Sequence, residues 1–287
     1  MMQLCRPSPF IFALLLAAPL MQHCVGVDAS ATTTSSRHQL DGLEVIRWTT
    51  TQDTSKLEGI VVGYQTRPVM NPLATELLMK EGFLAAIVDQ KDIAVLKEKL
   101  GSGPMDIRTN YGTLPNWREV FQRSFPQGQA LLMNGRPMTP VSQILQIAAR
   151  GWSTPTESGG CFQLEIATSI ISTTVAQEGL LVRADRPAGN PIANTGIETC
   201  LEANEVFLLL TANQSPFKSG RGPGSESPLP PTVGRFLLGE SADFSGQETQ
   251  LKGVTLLAFV PHMSSSIQPA RSSVQHQSTF SDSAAKP

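Results

Sequence analysis

The clearest pattern in this chain is an alternation of apolar and polar residues over positions 161–170. Successive side chains of a β-strand point to opposite faces, so this period of two predicts a long strand with one apolar and one mostly polar face. Residues 206–210 and 254–260 are apolar on both faces, which is typical of strands in the centre of a sheet. With residues 197–201, these stretches predict a mainly antiparallel β-domain.

Upstream of this region, short apolar runs alternate with apolar residues at helical spacing. Residues 43–48 and 59–64 are predicted as strands. Asn71 is the predicted cap of a helix that has Pro72 in its first turn and ends at Gly82. The apolar stripe of this helix consists of Leu73, Leu77 and Leu78, and a buried strand is predicted at 83–88. A second helix is predicted to be capped by Asp89 and to end at Gly101, with Ile93, Leu96 and Leu100 on its apolar face. Together these elements form a small α/β module.

A second set of apolar residues has helical spacing but lies between two prolines, Pro115 and Pro126. Its members are Trp117, Val120, Phe121 and Phe125, which follow Asn116. We expect a short helix here, because a proline breaks a helix interior. Its aromatic residues form either a lid over the core or an exposed contact surface.

These patterns predict an α+β fold in which a small α/β module (strand–helix–strand–helix) precedes a larger, mainly antiparallel β-domain. The predicted organisation is a signal peptide at 1–31, a flexible leader at 32–40, the module with its connecting segment at 41–126, the β-domain at 127–262 with a mobile loop at 212–231, and a disordered tail at 263–287. Within the β-domain, Asn134 and Gly135 suit a tight turn between strands at 129–133 and 141–148, residues 151–160 are expected to form a loop, and residues 179–184 a further strand.

The start of the chain has the features of a secretory signal. Arg6 supplies a positive charge, residues 10–21 are largely apolar, and Ala29 to Ala31 offers a small-x-small cleavage motif. An uncleaved anchor is the alternative. No second apolar segment reaches the length of a transmembrane helix, so we expect an exported mature chain, periplasmic or associated with the cell envelope, without a membrane span.

Composition and charge argue against nucleic-acid binding and allow a disulfide. Only 16% of the 287 residues are charged, against about 25% in a typical soluble domain, and the net charge is −2. A nucleic-acid-binding protein would carry a basic stripe interleaved with aromatic residues, and the sequence has none. Two cysteines follow the signal, Cys161 and Cys200, and they form either one disulfide in an oxidising compartment or two buried thiols.

No residue pattern points to a catalytic, cofactor or metal site. His38 and His276 lie in the predicted leader and tail, and His262 follows the last strand with no signal for a partner. Four acidic residues could provide paired carboxylates for a hydrolase, or be solvated turn residues: Asp185, Glu198, Glu202 and Glu205. A pocket between the module and the sheet, lined by Trp117, Trp152 and Phe162, is the candidate for binding a small ligand.

Two segments together resemble a known group of proteins. They are the helix–strand–helix at 73–100, which contains Glu81, Gly82 and Phe83, and the β-region with Phe162, Gln163 and Leu164 followed by 201–210, 231–238 and 254–260. Over roughly residues 58–262 they are similar to an uncharacterised family of exported proteins from planctomycete-like bacteria. The resemblance implies no catalytic residues.

The β-region is also similar to the outer-membrane secretin core, in the acidic turn at 201–206 that precedes an apolar run. The small α/β module is similar to the ring-building periplasmic domains of secretins. This chain lacks their long amphipathic hairpin and repeated domains, so the resemblance implies a fold analogy and not a pore.

We therefore expect an exported, non-enzymatic structural or interaction protein of the periplasm or cell envelope. Its expected partner is an envelope protein or a second copy, within a larger secretin-like assembly, because an exposed sheet edge can recruit a partner strand. A small-ligand-binding module is the alternative, followed by a carboxylate-dependent hydrolase.

Overall fold

Strands make up most of the regular structure in the described part of the chain. The computed structural model describes residues 41–50, 52–126, 128–139, 143–156, 159–172, 186–213, 230–239 and 253–263. The strands are β1 (Gly42–Thr50), β2 (Gln65–Arg67), β3 (Phe83–Asp89), β4 (Ser102–Gly112), β5 (Leu114–Ser124), β6 (Leu131–Met133), β7 (Arg136–Met138), β8 (Gln143–Thr156), β9 (Gly159–Ser172), β10 (Asn190–Pro191), β11 (Ile197–Leu201), β12 (Glu205–Thr211) and β13 (Val254–His262). The helices are α1 (Thr54–Gly63), α2 (Pro72–Lys80), α3 (Ile93–Lys99) and α4 (Val233–Leu238), and a 3-10 turn at Gln90–Asp92 leads into α3.

Six of the strands form one antiparallel sheet in the order β2-β3-β12-β13-β1-β4. Its two central strands are β12 and β13, which confirms the prediction drawn from their apolar character on both faces. A second antiparallel sheet has the order β10-β9-β8-β5, and β11 also pairs with β9. The β6–β7 pair forms a separate hairpin.

The fold is α+β, as predicted, with helices α1 and α3 over one face of the six-stranded sheet and helices α2 and α4 contributing to the core between the two sheets. One core lies between the two sheets and contains Phe207 and Phe259, whose rings meet edge to face with centroids 5.6 Å apart. A second core lies on the other face of the six-stranded sheet, where Leu57 and Val61 of α1 and Leu96 of α3 cover it.

The two predicted parts of the chain share the six-stranded sheet. Strands β12 and β13, from the predicted β-domain, lie between β3 and β1 of the predicted module. The described residues all belong to one compact unit.

The first α-helix lies where the sequence predicts a strand, so the expectation for residues 59–64 is wrong. The side chain of Asp53 accepts a hydrogen bond from the backbone N–H of Ser55 at 2.8 Å and caps α1. Leu57 and Val61, four residues apart, are buried on the same helix face. The β-branched run at 60–62 favours a strand by propensity, but burial of the helical stripe outweighs that preference.

The second helix has the predicted start. Asn71 caps it by accepting a hydrogen bond from the N–H of Ala74 at 2.8 Å, and Pro72 occupies the first turn. Leu78 is buried, but Leu73 is 66% exposed, so the predicted apolar stripe is only partly buried. Asp89 caps the 3-10 turn before α3 through the N–H of Lys91.

Three other local predictions are wrong. Residues 116–124 form part of β5 and not a helix, because pairing with β8 gives them a partner strand, and Phe125 follows the end of the strand. The predicted loop at 151–160 is largely strand, since β8 and β9 pair along their whole length. Asn134 and Gly135 do form a turn with positive φ angles of 49° and 73°, but it joins β6 to β7 and not to a strand at 141–148.

Several predictions fall on residues that the structure does not describe. They are the signal and leader at 1–40, the strand at 179–184, most of the loop at 212–231, and the tail from residue 264 onward.

Candidate interaction surfaces

The predicted pocket of Trp117, Trp152 and Phe162 does not form. Trp152 lies opposite Gln163 in the β8–β9 ladder, and Phe162 is the next residue along β9, so the two aromatic side chains point to opposite faces of the sheet. Phe162 is 1% exposed and packs between the sheets, whereas Trp152 is 38% exposed on the outer face.

Trp117 and Trp152 instead meet at Arg150 on the outer face of the five-stranded sheet. The guanidinium carbon of Arg150 lies 5.0 Å from the ring centroid of Trp117 and 5.5 Å from that of Trp152. Its Nε donates to the carboxylate of Glu165 on β9 at 2.8 Å. This indole–guanidinium cluster (Trp117, Arg150, Trp152 and Glu165) links β5, β8 and β9 by cation–π and charge-assisted contacts. Since Arg150 occupies the space between the indoles, the cluster stabilises the sheet and leaves only part of Trp152 for a partner.

The two cysteines form a disulfide on the same outer face. Cys161 on β9 and Cys200 on β11 have Cα atoms 5.6 Å apart and are separated by 39 residues in sequence. Next to this disulfide, Gln163 donates to Glu198 at 3.0 Å. The bridge and the hydrogen bond both hold β11 against β9.

Glu205 is buried in an ion pair and is unsuited to general-acid catalysis. Its two carboxylate oxygens accept hydrogen bonds from Nε and Nη2 of Arg67, each at 2.7 Å, and the N–H of Glu202 donates to it at 2.9 Å. Burial raises the pKa of Glu205, but these hydrogen bonds and the nearby guanidinium charge outweigh burial and lower the pKa below its usual value. Arg67 also donates to the backbone oxygen of Cys200, so it ties β2 to the end of β11.

The described part of the chain contains two of the other three predicted carboxylates, and neither pairs its side chain with Glu205. Glu198 lies on the exposed face beside Gln163, and Glu202 is exposed in the turn before β12. Asp185 lies outside the described residues. His262 lies 3.2 Å from Glu44 across the β1–β13 pair, a partner that the sequence had no signal for.

Glu81 is a second buried carboxylate that sequence reasoning missed. It is 2% exposed and accepts from the N–H of Asn134 at 3.0 and 3.3 Å, which fixes the β6–β7 turn against the end of α2. Burial raises its pKa, and the hydrogen bond from Asn134 offsets this only in part.

An open groove of about 590 Å³ lies between α1, α2 and the first residues of β3. Its apolar lining includes Val62, Met70, Met79 and Leu84, and Val62 is 50% exposed. A second open cleft of about 620 Å³ is more polar and lies beside Arg235 and Asn213. Both volumes are within the range of small-molecule sites, about 300–1,000 Å³.

The edges of the six-stranded sheet are β2 and β4, and they differ in length. β2 has three residues, whereas β4 has eleven and pairs only with β1 among the described strands. Residues 106–110 of β4 pair in unbroken register with residues 44–48 of β1, between two irregularities, and all five residues are exposed. In the five-stranded sheet, the edge strand β5 has two irregularities that interrupt its register.

Within the described ranges, no group of three or more His, Cys, Asp or Glu side chains could hold a metal ion. The same part of the chain contains no helix that is long and apolar enough to cross a membrane.

Searches against protein-family models, curated protein sequences and solved structures found no match to this chain.

Proposed function

We propose that this protein is an exported, non-enzymatic interaction protein that joins a larger assembly by adding a partner strand to the edge of β4. The observation that carries the proposal is the exposed, regular edge at residues 106–110. Export is inferred from the signal-like start of the chain.

A regular sheet edge binds an extended segment well. Its unpaired backbone N–H and C=O groups can continue the hydrogen-bond ladder, and its side chains then select the partner. β4 offers five consecutive residues in regular register, of which every second one turns its N–H and C=O to the open edge, whereas β5 is interrupted over a comparable length. A partner strand at β4 would extend the six-stranded sheet without any rearrangement of its core.

A binding role also fits the chemistry of the two buried carboxylates of the described residues. Glu205 is engaged by Arg67, and Glu81 by the N–H of Asn134. Each therefore has a structural role. Secretin-like assembly stays a prediction from the resemblance of the sequence.

Site-specific photo-crosslinking in the exported full-length chain tests the proposal. A photoreactive amino acid at position 107, where Ile107 is 37% exposed, should give covalent adducts in the cell. Val95 on α3 is 45% exposed and provides the control position, where we expect no specific adduct. A chain that gives no adduct at position 107 would show that the β4 edge recruits nothing.

The groove between α1 and α2 supports a second candidate function, the binding of a small apolar ligand. Its volume and its two methionines suit an adaptable apolar site. The probe is the fluorophore ANS, titrated into the full chain and into Val62→Glu. Weaker ANS fluorescence for Val62→Glu, with Val95→Glu unchanged as the control, is the expected result. Equal fluorescence in all three proteins would exclude the groove as an apolar site.

A further inference from the structure

We infer that the strand added at β4 is β4 of a second copy, paired antiparallel about a two-fold axis through Ile107. This inference rests on the proposed function and names its partner. It would join two six-stranded sheets into one continuous sheet, as in an isologous dimer.

The charges of β4 are complementary to themselves in this register. An antiparallel pair centred on Ile107 places Asp106 opposite Arg108 of the second copy and Arg108 opposite its Asp106. Directly opposite residues share a sheet face and interact, so the arrangement gives two cross-strand pairs of opposite charge. At the axis, the two Ile107 side chains meet, and each is an exposed large apolar residue that the contact would cover.

The charged residues beside β4 extend this complementarity. Asp106 lies opposite Trp48 and Arg108 opposite Ile46, so both charges are on the face covered by the helices. Asp106 accepts a hydrogen bond from Lys97 of α3, and Arg108 lies 3.7 Å from Glu44 of β1. Across the proposed interface these side chains form a row of alternating sign: Lys97, Asp106, then Arg108 and Glu44 of the second copy.

Other registers lose this match. An axis through Arg108 would place two guanidinium groups directly opposite each other, which is unfavourable. An axis through Asp106 would place two carboxylates directly opposite each other. The fit is therefore specific to one alignment of the two strands.

Charge reversal with mixing tests the inference on the full-length exported chain. Arg108→Asp leaves two acidic residues on each edge, and Asp106→Arg leaves two arginines. Size-exclusion chromatography with light scattering, over a wide range of protein concentrations, should show a dimer for the unmodified chain. We expect each variant alone to dissociate about tenfold or more readily, since two opposite-charge pairs become two like-charge pairs. An equimolar mixture of the two variants should dimerise again, because both cross-strand pairs of the mixed dimer then join opposite charges.

Two controls separate this result from misfolding. Arg118→Asp makes the same charge change at an exposed position on the edge strand β5 and should leave the dimer intact. Thermal unfolding should show that Arg108→Asp and Asp106→Arg are folded. If either is not, Ile107→Lys, which puts two ammonium groups at the axis, replaces it, with Val95→Lys as its control.

The outcomes distinguish the inference from the proposed function. A dimer that the charge reversals do not weaken, or variants that fail to dimerise when mixed, would overturn pairing about Ile107. A chain that is monomeric at every concentration, yet photo-crosslinks from position 107 to a different protein, overturns self-pairing and leaves the proposed function standing. A monomer without any adduct at position 107 removes both. Adducts of twice the mass of the exported chain, together with rescue by mixing, are the supporting result.

Discussion

The ion pair between Arg67 and Glu205 provides a sharp test of what stabilises the end of the six-stranded sheet near β11. Its residues are 138 positions apart in sequence, and Arg67 belongs to the six-stranded sheet while its second acceptor, the backbone oxygen of Cys200, belongs to the five-stranded one. Arg67→Ala removes the guanidinium and leaves the carboxylate of Glu205 buried with one backbone donor, the N–H of Glu202.

The size of the effect follows from the exposure of each side chain. Glu205 is 9% exposed and Arg67 is 38% exposed. Breaking a fully buried pair costs about 3–5 kcal/mol, and an exposed pair is worth about 0–1 kcal/mol. Water reaches the arginine here, so we expect Arg67→Ala to lower the free energy of unfolding by about 2 kcal/mol at neutral pH.

The loss should depend on pH in a definite direction. The folded pKa of Glu205 lies below its unfolded value, so the pair stabilises the fold above the unfolded pKa and loses this contribution as pH falls through the folded pKa. In Arg67→Ala the guanidinium that lowers the pKa of Glu205 is gone, so burial raises this pKa with less opposition. The difference in unfolding free energy between the two proteins should therefore be largest near neutral pH and shrink in acid.

Urea unfolding at about pH 7 and about pH 4 measures this difference. Glu205→Gln provides the matched background, because it removes the buried charge and keeps the shape of the side chain. Arg67→Ala should cost clearly less in that background than in the unmodified chain. If it costs the same in both backgrounds and at both pH values, the ion pair does not carry the stabilisation and our reasoning is wrong.

Three further predictions concern other parts of the fold. Glu81→Gln should stabilise the protein at neutral pH, because the folded pKa of Glu81 is raised: the contribution of Glu81 to the unfolding free energy is fully present only below its unfolded pKa and is lost as pH rises through its folded pKa. Urea unfolding at several pH values checks this, and a variant with the same pH dependence as the unmodified chain would contradict it. Gly151→Ala should destabilise the fold by about 1–3 kcal/mol, because a Cβ there would overlap the buried ring of Phe162. Gly59→Ala has open space around it in helix α1 and should stabilise the fold by about 0.5–1 kcal/mol. Thermal unfolding of both variants measures these effects, and a Gly151→Ala variant of unchanged stability would refute the packing argument. Replacing both Cys161 and Cys200 by Ala should lower the unfolding free energy by about 3–4 kcal/mol for a closed loop of this length, measured by denaturant titration, and an unchanged midpoint would show that the bridge adds no stability.

Local sequence signals placed many of the elements because they depend on short-range physics. The caps at Asn71 and Asp89 lie where predicted, since each satisfies free backbone N–H groups within a few residues. Asn134 and Gly135 make a turn because both tolerate positive φ angles. The strand predicted to follow that turn was wrong, however, because the strand that does follow it, β7, consists of only three exposed residues without an apolar pattern.

Apolar periodicity established the α+β class and the central position of β12 and β13, because a strand that is apolar on both faces must lie where other layers cover both sides of its sheet. The tertiary structure decided what periodicity does not encode: which strands are neighbours, and which edges have none. Trp117 is in a strand because β8 pairs with it, Trp152 and Phe162 point apart because they lie on opposite faces, and Arg67 meets Glu205 because the sheet brings together distant segments. That β4 lies at the edge of its sheet follows only from the order of all the described strands. The self-complementary charges of β4 could therefore not be recognised from the sequence alone.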